Sequence, residues 1–177
     1  MQSPDGEMTW GDQPSRFTLA LQALIENYVS TNPGIDPERI YVGGCSNGGF
    51  MTLKLLLNKP DYYAAAFPSA LGYRSQHLSD EEIAALATHP LWFVHAADDP
   101  VTRPLETAVP VVRRLQEADA ANLHFSYFDH VTDLTGLYGG EDYWYNGHFS
   151  WIPCHANACW SEVEGETVTI MEWLSRQ

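Results

Sequence analysis

The sequence predicts an α/β fold built on a mainly parallel sheet with helices on both faces. Two observations predict it. Short runs of β-branched and aromatic residues alternate with stretches of helical periodicity along most of the chain. The run from Arg39 to Gly44 is short, β-branched and glycine-bounded, as a buried strand should be, and strands alternating with helices argue for a parallel sheet covered on both faces. At 177 residues and 45% hydrophobic, the chain can bury one core and is too short for two ordinary domains, so residues 1–177 are read as a single domain.

Each element has a local reason. Between Ser15 and Ser30 the residues Phe17, Leu21, Leu24, Tyr28 and Val29 recur at helical spacing, and Asn32-Pro33-Gly34 ends the pattern. Arg39 to Gly44 reads as a buried strand, followed directly by a helix-compatible run from Gly48 to Asn58. Tyr63 to Ser69 is a second apolar strand. Ser79 and Glu82 form a capping-box pair that opens a helix, and Leu91 to His95 is a third strand. Pro104 to Ala118 reads as helix, Leu123 to Phe128 as strand and Thr167 to Leu174 as a closing helix. The segment from Asp129 to Ser161 has no sustained period, and long structureless loops in compact domains are usually functional.

Composition narrows the function. Acidic residues number 23 against 9 basic ones, for a net charge of -14, and no stretch gathers Lys or Arg into a patch that would neutralise phosphates. Nucleic acid and anionic membranes are thereby excluded as expected partners. No run approaches the roughly 20 apolar residues of a membrane span, and nothing in MQSPDGEMTWGDQ reads as a targeting segment, which leaves localisation open. Cys154 and Cys159 would close a small disulfide loop if the turn between them brought their β-carbons together. Cys45 reads as an inert packed thiol. A metal site from Cys154, His155 and Cys159 lacks a fourth ligand, so no metal and no cofactor is expected.

Gly44-Cys45-Ser46-Asn47-Gly48 matches G-x-S-x-G, and Gly49 follows. Its position, after a predicted strand and at the start of a helix, matters more than the match. A strand that turns sharply into a helix holds its central residue in a strained conformation, and flanking glycines relieve the crowding. Ser46 Oγ would then stand clear of the sheet, and the N–H of Asn47 at the helix start would face a developing oxyanion. The bland alternative is an ordinary glycine-rich turn. A serine also needs a base and an orienting carboxylate. Asp98 and Asp99 lie just past the end of the strand from Leu91, where sites form in parallel sheets. Asp129 and Asp133, after the next strand, are the fallback. Of the seven histidines, His148 lies late, in a loop and after the acid; His95 reads as structural, His124 as a face residue, and His77, His89 and His130 as loop or helix-edge residues.

Here the sequence resembles a family. Leu91 to Val101 resembles the H-G-x-x-D-P-V-V-P stretch of the polyhydroxybutyrate depolymerase and feruloyl-esterase-like branch of the α/β-hydrolases, with Ala96 in place of its Gly. Arg39 to Gly49 resembles that branch's R-I-Y-V-x-G-x-S-x-G-G, and Gly147 to Trp151 its G-H-x-x-W. The likeness runs from about Met1 to Gln177. It implies an α/β-hydrolase fold and a triad of Ser46, Asp99 and His148, with Asn47 as an oxyanion donor and Asp98 capping a turn or bonding backbone. His155 competes as the base, because tannase-like esterases tie their serine and histidine loops by a disulfide between adjacent cysteines. Here Cys154 precedes His155, whereas in that pattern the cysteine follows the histidine, and the departure favours His148.

The resemblance also implies the substrate: a carboxylic ester, carbohydrate-linked or phenolic, cleaved through an acyl-enzyme. Tyr138, Tyr143, Trp144, Tyr145, Phe149 and Trp151 cluster around His148. Trp144, Tyr145 and Trp151 are expected to wall the site for a sugar or phenolic ring, unless these rings only pack a long loop. The second oxyanion donor of the family, an H-G-x-x-like segment after an early strand, has no counterpart here. The early strands are therefore expected upstream of Met1, the domain truncated at its N-terminus and the strand of Ser46 left as an edge, covered by an N-terminal partner segment or by self-association. The alternatives are a serine peptidase of prolyl-oligopeptidase type, which shares the triad order, a weak fragment that needs a partner segment, and a silent fold that binds a ligand.

Overall fold

Four apolar segments pair side by side as a parallel sheet in the order β1 (Tyr41–Cys45), β2 (Ala65–Ser69), β3 (Leu91–Ala96) and β4 (Leu123–Phe128). A computed structural model of the protein describes residues 17–177, so the predicted helix start at Ser15 lies outside the described residues. The strands are joined by helices, as parallel neighbours require: α2 (Asn47–Asn58), α3 (Asp80–Ala87) and α4 (Ala108–Glu117), with α1 (Thr18–Thr31) ahead of β1. The fold class read from the sequence is the one observed.

Alternation along β3 distributes its side chains between two cores. Leu91 and Phe93 join the cluster formed with α2, α3 and α4, on which Leu21 and Ile25 of α1 also pack. Trp92 and Val94 join a second cluster on the opposite face with Cys154, Cys159, Val168, Ile170 and Trp173. Every residue of β3 is buried. One irregularity follows from sequence: β2 bridges β3 only at Ala66↔Leu91 and Ser69↔Val94. Ala66 N–H donates to Pro90 O and Ala70 N–H to Val94 O, and Pro68, which has no N–H, stands where the intermediate donor would be.

The C-terminal expectation is corrected. Thr167 to Thr169 are not helical. They belong to β8 (Glu166–Thr169), which pairs antiparallel with β7 (Trp160–Val163), and α6 (Ile170–Ser175) begins only after a capping box of Thr169 and Glu172. The two-residue turn of Glu164 and Gly165 has φ of 53° and 85°, the left-handed pair that a tight hairpin demands. The segment read as structureless holds β5 (Val131–Thr132), antiparallel to β6 (Trp144–Tyr145), and α5 (Trp151–His155). The predicted helix from Pro104 starts later, at Ala108, because Pro104 O first closes turns to Thr107 and Val109. Cys154 and Cys159 are free buried thiols with no disulfide between them. Among the described residues β1 is an edge of the sheet, with Gly43 exposed.

Candidate active site

The carboxyl ends of β1 and β2 meet at Ser46. This residue links β1 to α2 with φ 60° and ψ -112°, a conformation that costs a non-glycine residue roughly 1–3 kcal/mol. The surroundings impose it: Ser46 N–H donates to Ser69 O at 3.0 Å, and Ser46 O accepts from Phe50 N at 3.1 Å and Gly72 N at 3.0 Å. A β-carbon at Gly44 would stand 2.6 Å from the Gly48 backbone, and one at Gly72 would stand 2.9 Å from the Ser46 carbonyl. The expectation that both flanking glycines relieve crowding holds for one of them. Gly44 is hemmed in, whereas a β-carbon at Gly48 would meet nothing within 4 Å.

That asymmetry makes a prediction. Gly44→Ala should destabilise the fold by about 1–3 kcal/mol, the usual consequence of forcing atoms into a packed site. Gly48→Ala should be neutral or stabilising by about 0.5–1 kcal/mol, since it removes a helical glycine without a clash. Urea midpoints of the two variants check this; equal losses would contradict it.

Asp99 ends the β3 turn and is buried. Its Oδ1 accepts from the backbone N–H of Val101 at 2.7 Å and of Thr102 at 3.0 Å. Its Oδ2 lies 2.7 Å from Thr102 Oγ1, 3.0 Å from His95 Nε2 and 2.9 Å from His148 Nδ1. Burial opposes ionisation, but hydrogen bonds from His148, His95 and Thr102 outweigh it and hold the carboxyl well below the ordinary carboxylate range. His95 is fully buried; its Nδ1 has no hydrogen-bond partner among the described residues, which puts the ring proton on Nε2, facing Asp99. His95 and Thr102 thus hold the Asp99 carboxylate, a part that the sequence reading did not give them, although His95 sits in the stretch that carried Asp99 and Thr102 directly follows it.

His148 is on the arm between β4 and α5, and its backbone N–H is fixed by Asn146 Oδ1 at 3.0 Å. Two contacts bring that arm to the elbow: Cys45 Sγ donates to the His148 carbonyl at 3.6 Å, and Thr102 Oγ1, 3.1 Å from Ala70 O, also lies 3.4 Å from His148 Nδ1. Burial pushes the Cys45 thiol up to about 11, which keeps it a thiol near neutrality. Ser46 Oγ makes no hydrogen bond among the described residues, a looseness that apo sites of this chemistry often show. As the first residue of α2, Asn47 presents an N–H with no partner inside the helix.

The competing residues go elsewhere. His155 is exposed at the end of α5, with its ring 6.2 Å from that of Trp151. Asp133 accepts from Thr135 N and Oγ1, Tyr138 N and Gly140 N, so it organises the 133–140 loop; the Thr135 hydroxyl foremost holds its carboxyl below the ordinary range. Asp98 pairs with His130, its Oδ2 2.8 Å from Nδ1, in place of the expected backbone bond. Among the aromatics, Tyr145 is packed against Tyr138 and Tyr143, whereas Trp144 and Trp151 are exposed.

Comparison with known proteins accords with this architecture. Residues 13–72 match the model of the prolyl oligopeptidase family. Poly(3-hydroxyalkanoate) depolymerase C of Paucimonas lemoignei is 37% identical over 67 residues, which cover 38% of this chain and 15% of that protein. A thermostable esterase of known structure superposes with a TM-score of 0.68 at 26% identity, over 94% of this chain and 38% of that one. The acylaminoacyl peptidase of Pyrococcus horikoshii shares the fold, with a TM-score of 0.52 and 18% identity over 70% of this chain and 24% of its own. The chain thus spans well under half the length of each of these relatives. A superposition over 94% of the chain is a likeness of topology as much as of sequence, and by it the chain has the α/β-hydrolase fold, with local sequence similarity to a polyhydroxyalkanoate depolymerase.

Proposed function

We propose that this protein is a serine hydrolase that cleaves carboxylic esters through an acyl-enzyme. One observation carries the reading: a serine held at φ 60° on the sheet's carboxyl edge, whose neighbour Cys45 reaches the His148 carbonyl at 3.6 Å while His148 Nδ1 lies 2.9 Å from a buried Asp99. Ser46 Oγ attacks the ester carbonyl while His148 Nε2 takes its proton, Asp99 orients and stabilises the imidazolium, and the Asn47 N–H receives the oxyanion. His148 then returns the proton to the departing alcohol. Water repeats the sequence on the acyl-serine, releasing the acid and restoring Ser46. The exposed indoles of Trp144 and Trp151, near the base, favour an ester whose alcohol or acyl part carries a sugar or phenolic ring. A serine peptidase of prolyl-oligopeptidase type is the second reading, favoured by the family match over residues 13–72.

Fluorophosphonate labelling followed by peptide mass mapping tests the nucleophile, and p-nitrophenyl esters set against peptide p-nitroanilides test the substrate class. The expected result is a single adduct on Ser46, with ester turnover far above amide turnover and higher for phenolic than for simple alkyl esters. Preference for amides would favour the peptidase. Labelling with negligible turnover of either would favour a site that works only when the edge that β1 forms among the described residues is covered by a partner segment or a second copy.

A further inference from the structure

The arm of residues 129–149 reaches the end of β3 at two adjacent aspartates, and only Asp99 has a place in the proposed reaction. Asp98 lies 2.8 Å from His130 Nδ1, and each of these side chains is about one-third exposed, at 34% and 33%. The His130 ring lies flat on the indole of Trp144, with centroids 3.7 Å apart and planes 10° from parallel. Trp144 is itself fixed in β6, opposite Thr132 of β5. Gly147 completes the assembly: a β-carbon there would fall 2.1 Å from Asp98 Oδ1 and 2.7 Å from Asp99 N, so the residue immediately before His148 rests on the aspartate pair.

We propose that Asp98, His130 and Trp144 form a clamp that positions His148, with His130 as its keystone. The inference rests on the serine-hydrolase reading. A one-third exposed histidine–carboxylate contact contributes little to overall stability, so stability alone gives no account of a pair, a stack and a glycine contact converging on one loop. Catalytic rate, by contrast, is steeply sensitive to the placement of a base: an error of about 1 Å costs up to roughly a hundredfold. The clamp meets, at Gly147, the backbone segment that carries the His148 ring. Asp99 fixes one ring nitrogen, and the clamp fixes the chain that carries the ring.

The test uses the full chain and reads the rate of fluorophosphonate modification of Ser46, together with kcat and KM for a p-nitrophenyl ester. His130→Ala and Asp98→Ala should each lower the labelling rate and kcat by about tenfold or more, with KM and the thermal midpoint little changed. The double variant should be no slower than either single one, because both remove the same interaction. Asp98→Asn, whose amide oxygen still accepts from Nδ1–H, should stay within about threefold of the parent. Should His130→Ala fail to fold, the contrast between Asp98→Ala and Asp98→Asn carries the same information. Undiminished labelling in His130→Ala, losses that track the thermal midpoint, or multiplying losses in the double variant would overturn the clamp. Ser46→Ala separates the two levels: if it is labelled as fast as the parent, the serine reading falls and the clamp with it, whereas labelling that needs Ser46 but ignores residues 98 and 130 removes the clamp alone.

Discussion

Ser46→Ala and His148→Ala should each lower kcat for an ester by roughly 10⁴–10⁶-fold, and the double variant should be little worse than either, because nucleophile and base act as a unit. The surroundings offer no substitute. The neighbouring Cys45 thiol donates to the His148 carbonyl and is kept un-ionised by burial. His95 is fully buried and spends Nε2 on Asp99, so it is not free to serve as a replacement base. His155→Ala is the contrasting control: that side chain is exposed at the end of α5, and its removal should leave kcat within about twofold. Initial rates with one p-nitrophenyl ester decide the matter. Survival of Ser46→Ala activity within tenfold would remove the nucleophile assignment, and a crippling effect of His155→Ala would move the base to the second histidine.

How much of this was legible in sequence depended on the range of the interactions. The central strand β3 announces itself because burial on both faces leaves no polar alternation in LWFVHA, where every residue is buried. Ser46 was legible because a strained elbow requires a particular order of strand, glycine, serine and helix within a few residues. The β7–β8 hairpin was missed although its Glu164-Gly165 turn was in view, because ETVT is compatible with helix or strand until Val168 finds the second core. The two-residue strands β5 and β6 are too short to carry any period. Residue pairs far apart in the chain were out of reach: Asp98 with His130 and Cys45 with His148 are separated by 32 and 103 positions. The choice of Asp99 over Asp98 came from family resemblance, since both carboxylates follow the same strand. The structure supplies a physical distinction, five donors around one carboxylate and a single histidine beside the other.

Asp99→Asn should lower kcat by about 10³–10⁴-fold and also destabilise the protein, and both effects come from those five donors. An amide has one accepting oxygen and one donating NH₂. At a site only 3% exposed, the NH₂ must face either the two backbone N–H groups of Val101 and Thr102 or the cluster of Thr102 Oγ1, His95 Nε2 and His148 Nδ1. In the first orientation two donors collide with a third, at a cost of about 1–3 kcal/mol. In the second, His148 can relieve the conflict only by leaving Nδ1 unprotonated, which places its proton on Nε2, where it can no longer accept from Ser46. Stability should follow pH with a definite sign. Hydrogen bonding lowers the folded-state pKa of Asp99 beneath the unfolded value of about 3.9, so the carboxylate's contribution is complete above that pH and is lost as pH falls toward the folded value. Asn does not titrate, so the gap in urea midpoint between the parent and Asp99→Asn should be constant from about pH 5 to 8 and narrow below about pH 4. A gap that persisted unchanged at low pH would mean that the donors around residue 99 hold its shape and not its charge, and the orientation of His148 would then need another cause.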